Sequence, residues 1–252
     1  MMRFSIRAQG RSQVRFQILR SVALSSALLL GGCMIPPSDD AARIGPFFAP
    51  SNYTGGPQLP ATLRRVVLLP IAGGTVAPAE SVAALDPVFT AQLQRQNRFE
   101  IVTLTRAECL QRFQAEEFPS AGALPATLLN RLQREFGADG VMFIDLTVFK
   151  PYRPLAIGVR AKLATVEDPA RLVWTFDDVY SAAEAPVANS ARAHFLESDG
   201  GRIPADLTPS VLQSPGRFAT YVASSVFSTL PPVFSAVPTN DAKPAPEVAT
   251  PR

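Results

Sequence analysis

The chain is poor in the residues that most enzyme chemistry needs. In 252 residues it has one histidine (His194), two cysteines (Cys33 and Cys109) and one tryptophan (Trp174). A lone histidine, with no acid or nucleophile near it in sequence, gives no Ser/His/Asp set and no metal-ligand cluster, so His194 is expected to be structural. There is no Gly-Lys-Ser/Thr after the one glycine turn that follows a strand-like run, Ala72-Gly73-Gly74, which removes the phosphate-loop reading. The adjacent acids Glu116-Glu117 and Asp177-Asp178 do not make a carboxylate dyad, because neighbours on a strand such as Asp177 and Asp178 point to opposite faces. No cofactor and no enzymatic activity are expected. No apolar run reaches the roughly 20 residues that a membrane-spanning helix needs.

What is present begins with a leader. Arg3, Arg7, Arg11, Arg15 and Arg20 precede an apolar stretch from Val22 to Leu30, interrupted by Ser25 and Ser26, and residues 1–32 hold no acid. A basic region, a short apolar region and a small-residue cleavage site are the parts of a secretory signal. The last four residues, Leu30-Gly31-Gly32-Cys33, form a lipobox-like sequence. Small residues before a cysteine suit cleavage by the lipoprotein signal peptidase, and the thiol carries the lipid. Cys33 is the expected lipidation site, and two or three acyl chains hold a protein to a bilayer where one does so only marginally. Met34 stands where an Asp would retain the protein in the inner membrane of enteric bacteria. The expected location is therefore the outer membrane, facing the periplasm.

Removing the leader changes the charge. The 24 basic residues less those five leave 19 against 21 acidic ones, so the mature chain is slightly negative. With no Lys/Arg cluster it has no electrostatic footprint for nucleic acid. Cys109, the one other thiol, has no disulfide partner and reads as a small buried hydrophobe.

The organisation expected is a signal peptide over 1–32, a lipidated cysteine and Pro/Gly-rich tether over 33–61, an α/β domain over 62–232 and a Pro/Ala-rich disordered tail over 233–252. Within the domain, Arg65 to Ile71 is a strand whose unbroken apolar run suits cover on both faces. Helices are expected within Ser81 to Gln96, where Pro87 argues against an unbroken helix and Asp86-Pro87 reads as N-cap and first turn, from Thr105 to Phe113 and from Pro125 to Phe136 with Gly137 as C-cap. Others are expected near Val187 to Phe195 and after Ser214-Pro215. Phe99 to Leu104 is a short strand between the first two. Val141–Phe149, Ala156–Val166 and Leu172–Tyr180 form a three-strand antiparallel meander.

Parity sets the register of that meander, because a one-residue slip would turn every side chain over. Leu163 falls opposite Trp174 and Ala161 opposite Phe176; Ile144 falls opposite Ala161 and Leu146 opposite Val159. The outer face then carries a row Asp145–Arg160–Asp177, with Lys162 beside it. These four are the candidate partner surface. The fold class expected is α/β, α+β-like in arrangement: a mixed sheet with a C-terminal three-strand meander and helices packed on it.

Three phrases carry a family resemblance. Arg65-Val66-Val67-Leu68-Leu69-Pro70 resembles a "VAVLPF" opening strand, Gly137-Ala138-Asp139-Gly140-Val141 a "GADxV" lead into a meander, and Ala161 to Trp174 a hairpin ending in a buried Trp. Together, over roughly 62–230, the chain resembles the periplasmic domain shared by the curli-secretion lipoprotein CsgG, the TolB N-terminal domain and the penicillin-binding-protein activator lipoproteins. The hairpin departs from that pattern, with Asp168-Pro169-Ala170 in place of Thr-Gly. The resemblance implies action on envelope proteins by contact, as scaffold, assembly factor or regulator, often as homo-oligomeric rings, and brings no catalytic residues. Its alternative is a secretion-channel subunit of the CsgG kind. The meander turns, Lys150 to Pro154 and Glu167 to Ala170, are too short for membrane strands of roughly 9–11 residues each, so no spanning is expected.

Overall fold

The sheet starts on the run Val66-Val67-Leu68-Leu69, and alternation sends Val66 and Leu68 into one hydrophobic core and Val67 and Leu69 into the other. A strand with both faces apolar must be central, and this one is. The computed structural model describes residues 44–167, 169–198 and 211–233. The leader, Cys33, Asp168, most of the polar stretch 198–207 and the tail after Val233 lie outside the described residues.

The strands are β1 (Tyr53–Gly55), β2 (Arg65–Leu68), β3 (Glu100–Thr103), β4 (Gly140–Lys150), β5 (Ala156–Thr165) and β6 (Leu172–Ser181). They form one mixed sheet in the order β1-β6-β5-β4-β2-β3. β2 runs parallel to both β3 and β4, and β4, β5, β6 and β1 are antiparallel neighbours. Among the described residues the helices are α1 (Ala79–Ala83), α2 (Asp86–Arg95), α3 (Arg106–Phe113), α4 (Leu128–Phe136), α5 (Ala185–Ser198) and α6 (Pro215–Ser228). The α/β class with a C-terminal meander is as the sequence implies.

One face is covered by α2, α5 and α6. Phe89 of α2 meets Phe227 of α6 edge to face at 6.1 Å, and Trp174 stacks on Phe176 at 6.1 Å beneath them. α3 and α4 cover the β2–β4 half of the other face through Cys109, Leu128 and Leu132. The caps follow from sequence. Thr105 and Glu108 form the expected reciprocal capping box, Gly137 ends α4 with φ 61°, and Ser214 caps α6 with Pro215 in its first turn.

The "Gly-Ala-Asp-Gly" phrase has a physical role here. The Asp139 carboxylate accepts from the N–H groups of Arg64 (3.0 Å) and Arg65 (2.9 Å), which fixes where β2 begins. A Cβ on Gly140 would meet the end of the Leu63 side chain and crowd the Ala164 carbonyl, so glycine spares β4 a tight contact where it starts beside β2 and β5.

The break expected at Pro87 is present: α1 ends at Ala83 and α2 carries Asp86-Pro87 in its first turn, with Leu85 and not Asp86 as its N-cap. The carboxylate of Asp86 is directed elsewhere, as described below. The stretch expected as a tether over 33–61 is not free along its length. Residues 53–55 add to β6 as an edge strand, and Leu59 pairs with Val233, its N–H donating to the Pro232 carbonyl at 2.9 Å. An edge strand needs only main-chain groups, so Pro and Gly nearby did not prevent it.

Candidate functional site

The meander has the register that parity requires. Leu163 pairs with Trp174, Ala161 with Phe176 and with Ile144, and Val159 with Leu146. Arg160 pairs with Asp145 on one side and Asp177 on the other, so the charged row is real. A bulge between Leu146 and Val148 interrupts β4 beyond it, opposite Gly158.

The row does not form one open surface. Arg160 turns to Asp177, with Nε at 2.8 Å and a second nitrogen at 2.7 Å from the same carboxylate oxygen. Both side chains are more than a third exposed, so this pair contributes roughly 0–1 kcal/mol. Asp177 is also fixed by main chain: its N–H donates to the Asn52 carbonyl, and the Asn52 amide donates to its carbonyl at 2.6 Å.

Asp145 turns the other way and is buried, at 8% exposure. The loop between α3 and α4 lies over it. Ser120 donates its N–H to the carboxylate at 2.9 and 3.1 Å and its hydroxyl at 2.6 Å. Lys162 Nζ then donates to the Ser120 carbonyl at 2.9 Å. Two of the four candidate residues therefore clasp a loop onto the sheet, and Asp145 is withdrawn from the candidate contact surface. Phe118 drives the same loop down, buried at 3% and edge to face with Phe113 at 5.8 Å. What stays accessible on the open half-sheet is Arg160, Asp177 and part of Lys162, with Val179 exposed beside them.

A second polar cluster sits where β2 ends, between β3 and β4. That is the crevice outside the carboxyl ends of parallel strands, where the chain has turned first to one side of β2 and then to the other. Arg106 grips both oxygens of Asp86 at 2.9 and 3.1 Å, reaches Glu117 at 3.2 Å and donates to the Ile71 carbonyl at 2.7 Å. Asp86 in turn accepts from the Ile71 N–H at 3.0 Å. The N–H groups of Gly73 and Gly74 both donate to Glu117, at 3.1 Å each. The glycine turn therefore holds an anion, but the anion is the chain's own carboxylate. Beside it an open groove of about 660 Å³ runs between α2 and the β3–α3 junction, lined by Pro87, Thr90, Gln94 and Leu104 among others.

The sequence did not single out this cluster. Its members come from four separate segments, and Gly73-Gly74 was the one local signal.

Cys109 is fully buried, and burial, reinforced by Glu108, pushes its thiol up to about 11. His194 packs edge to face on Phe195 at 5.1 Å; burial, with Arg95 nearby, lowers its pKa. Among the described residues no group of three or more His, Cys, Asp or Glu is placed to hold a metal ion, and no helix is long and apolar enough to cross a membrane.

No family model matches the chain, and no curated protein matches it. Solved structures align with it in part. A PelC dodecamer from Paraburkholderia phytofirmans aligns at 15% identity and a TM-score of 0.41, covering 71% of this chain and 96% of its own. Lipoprotein GNA1162 from Neisseria meningitidis aligns at 15% identity and a TM-score of 0.38, covering 54% of this chain and 94% of its own. The LpoB C-terminal domain from Salmonella enterica aligns at 12% identity and a TM-score of 0.33, covering 46% of this chain and 82% of its own.

Proposed function

We propose that the chain is an outer-membrane lipoprotein of the periplasm, anchored through Cys33, whose α/β domain acts on envelope proteins by contact and not by catalysis. The observation that carries this reading is the Leu30-Gly31-Gly32-Cys33 sequence behind a basic, acid-free leader. The phrases at 65–70, 137–141 and 161–174 support it through their resemblance to the CsgG, TolB N-terminal and penicillin-binding-protein-activator domains. The polar clusters support the non-enzymatic part. Arg106, Asp86, Glu117, Asp145 and Ser120 are each spent on holding one segment of the chain to another. The contact surface in this reading is the open half-sheet around Arg160 and Asp177, and assembly into a homo-oligomeric ring is part of the same proposal.

The alternative, a channel subunit of the CsgG kind, finds no support in the meander. β4 ends at Lys150 and β5 starts at Ala156, and β5 ends at Thr165 with β6 starting at Leu172. Neither link has room for membrane strands of roughly 9–11 residues.

The test is fractionation of cells expressing the wild type and Cys33→Ala, followed by in-cell crosslinking. Cys33→Ala is expected to leave an uncleaved or soluble periplasmic protein, and the wild type to crosslink to a specific envelope protein. Normal processing and membrane recovery of Cys33→Ala would remove the anchor. Ion conductance by the purified lipoprotein in planar bilayers would favour the channel reading instead.

A further inference from the structure

The tip of the β4–β5 hairpin, Lys150-Pro151-Tyr152-Arg153-Pro154, is the least buried aromatic site among the described residues: Tyr152 is 84% exposed. The tip is not loose at its base. Leu155 is buried at 1%, and its carbonyl accepts the Ala182 N–H at 2.8 Å, which ties the hairpin to the end of β6. Lys150 and Arg153 flank the ring and are exposed too.

The N-terminal part of the chain reaches the domain at this same end. Phe48 packs edge to face on Tyr180 at 5.0 Å, and Tyr180 pairs with Ile157 just beyond the tip. The Phe48 N–H donates to Ser190 Oγ at 2.8 Å, and Asn189 of α5 donates to the Pro46 carbonyl at 3.2 Å. Ala188, from the same stretch of α5, lines a hollow of about 380 Å³ together with Arg153, Pro154 and Arg192, so the tip and the incoming chain share one end of the sheet. Ile44 and Phe47 are 67% and 49% exposed there. Glu184, exposed before α5, is an acid carried by the same end.

We infer that this end is the bilayer-facing end of the domain, and that Tyr152 enters the interfacial layer of an anionic phospholipid membrane while Lys150 and Arg153 meet its phosphates. This rests on the lipid-anchor reading and adds the face that anchor presents. The chain between Cys33 and Ile44 spans at most roughly 3.3–3.6 Å per residue, so it tethers this end more closely than the opposite one, where Leu59 meets Val233. An amphipathic ring belongs at the level of the headgroups, and Lys and Arg beside it are attracted to an anionic surface. A second contact of this kind is what turns a tethered domain into an oriented one.

The test uses the full lipidated chain on phosphatidylethanolamine–phosphatidylglycerol vesicles with brominated acyl chains. Tyr152→Trp adds a fluorophore at the tip, while Trp174, the chain's native tryptophan, is 1% exposed in the core and supplies a constant background. The added emission is expected to shift to the blue and to be quenched by the brominated chains. Adding Lys150→Glu and Arg153→Glu is expected to reduce that quenching severalfold while flotation with the vesicles persists. Protein that floats with the tip emission unquenched would overturn the face and leave the anchor standing. Wild-type protein that fails to float and carries no acyl mass on Cys33 would overturn both. A photocrosslinker at position 152 that captures an envelope protein and no lipid would replace the bilayer with a protein partner and overturn the inference.

Discussion

Ser120→Ala removes a single hydroxyl, and the structure sets what that hydroxyl is worth. It donates at 2.6 Å to a carboxylate that is 8% exposed, so little water stands ready to replace it. A hydrogen bond to a charged group contributes about 1.5–3 kcal/mol, and the Ser120 N–H bonds survive the change, so the expected loss lies in that range and not above it. For a domain of this size each kcal/mol moves the melting temperature by about 2–4 °C. Asp145→Asn should also destabilise, because the amide keeps only one accepting oxygen, sets its nitrogen as a donor against the Ser120 donors, and lacks the charge that strengthens the bonds. The informative measurement is the double-mutant cycle in urea, with hydrogen exchange followed over residues 114–127. A coupling energy of about 1 kcal/mol or more is expected, together with faster exchange confined to that loop. Two costs that simply add, or an exchange pattern unchanged in the loop, would refute the claim that Asp145 holds it down.

Gly158→Ala should destabilise by about 1–3 kcal/mol in a thermal melt, because the new Cβ would press on Thr147 and come within 2.9 Å of the Val148 nitrogen at the bulge; an unchanged melting temperature would show that the bulge yields. Trp174→Ala should cost roughly 3–5 kcal/mol by urea denaturation, the range for emptying an aromatic core site, and a loss below 1 would place the ring outside the core. Burial, then Arg95, keeps His194 below its ordinary value of 6.5, so the unfolded chain binds the proton more readily. Stability is therefore expected to be complete above 6.5 and to fall as pH drops through it, and His194→Phe should flatten that slope; an identical slope in the variant would show that other groups set it.

The register was legible because parity allows two answers for each strand pair and Ile157, Val159, Ala161 and Leu163 accept only one. The capping box at Thr105 and the αL cap at Gly137 were legible because each is a local rule satisfied by neighbours in sequence. The burial of Asp145 was not. It depends on a loop 25 residues upstream folding across the sheet, and Pro119 to Leu124 carries no pattern that says where it lies. The Arg106 cluster was hidden for the same reason, its partners standing 11 to 35 residues away. The edge strand β1 was missed because three exposed residues have no face to alternate.

That edge strand also bears on mechanics. A domain hung from a membrane by its N-terminus feels tension through the first residues that are bonded to it. If the chain is anchored through Cys33 as proposed, the first such bonds among the described residues run from Pro46 and Phe48 to α5, and from Asn52 to Asp177 at the edge of β6. The main-chain bonds that pair this segment with β6 lie across the strands, so a pull along the chain loads them in shear. The core of the domain, behind β6 and α5, is shielded from the load as long as this short lashing holds.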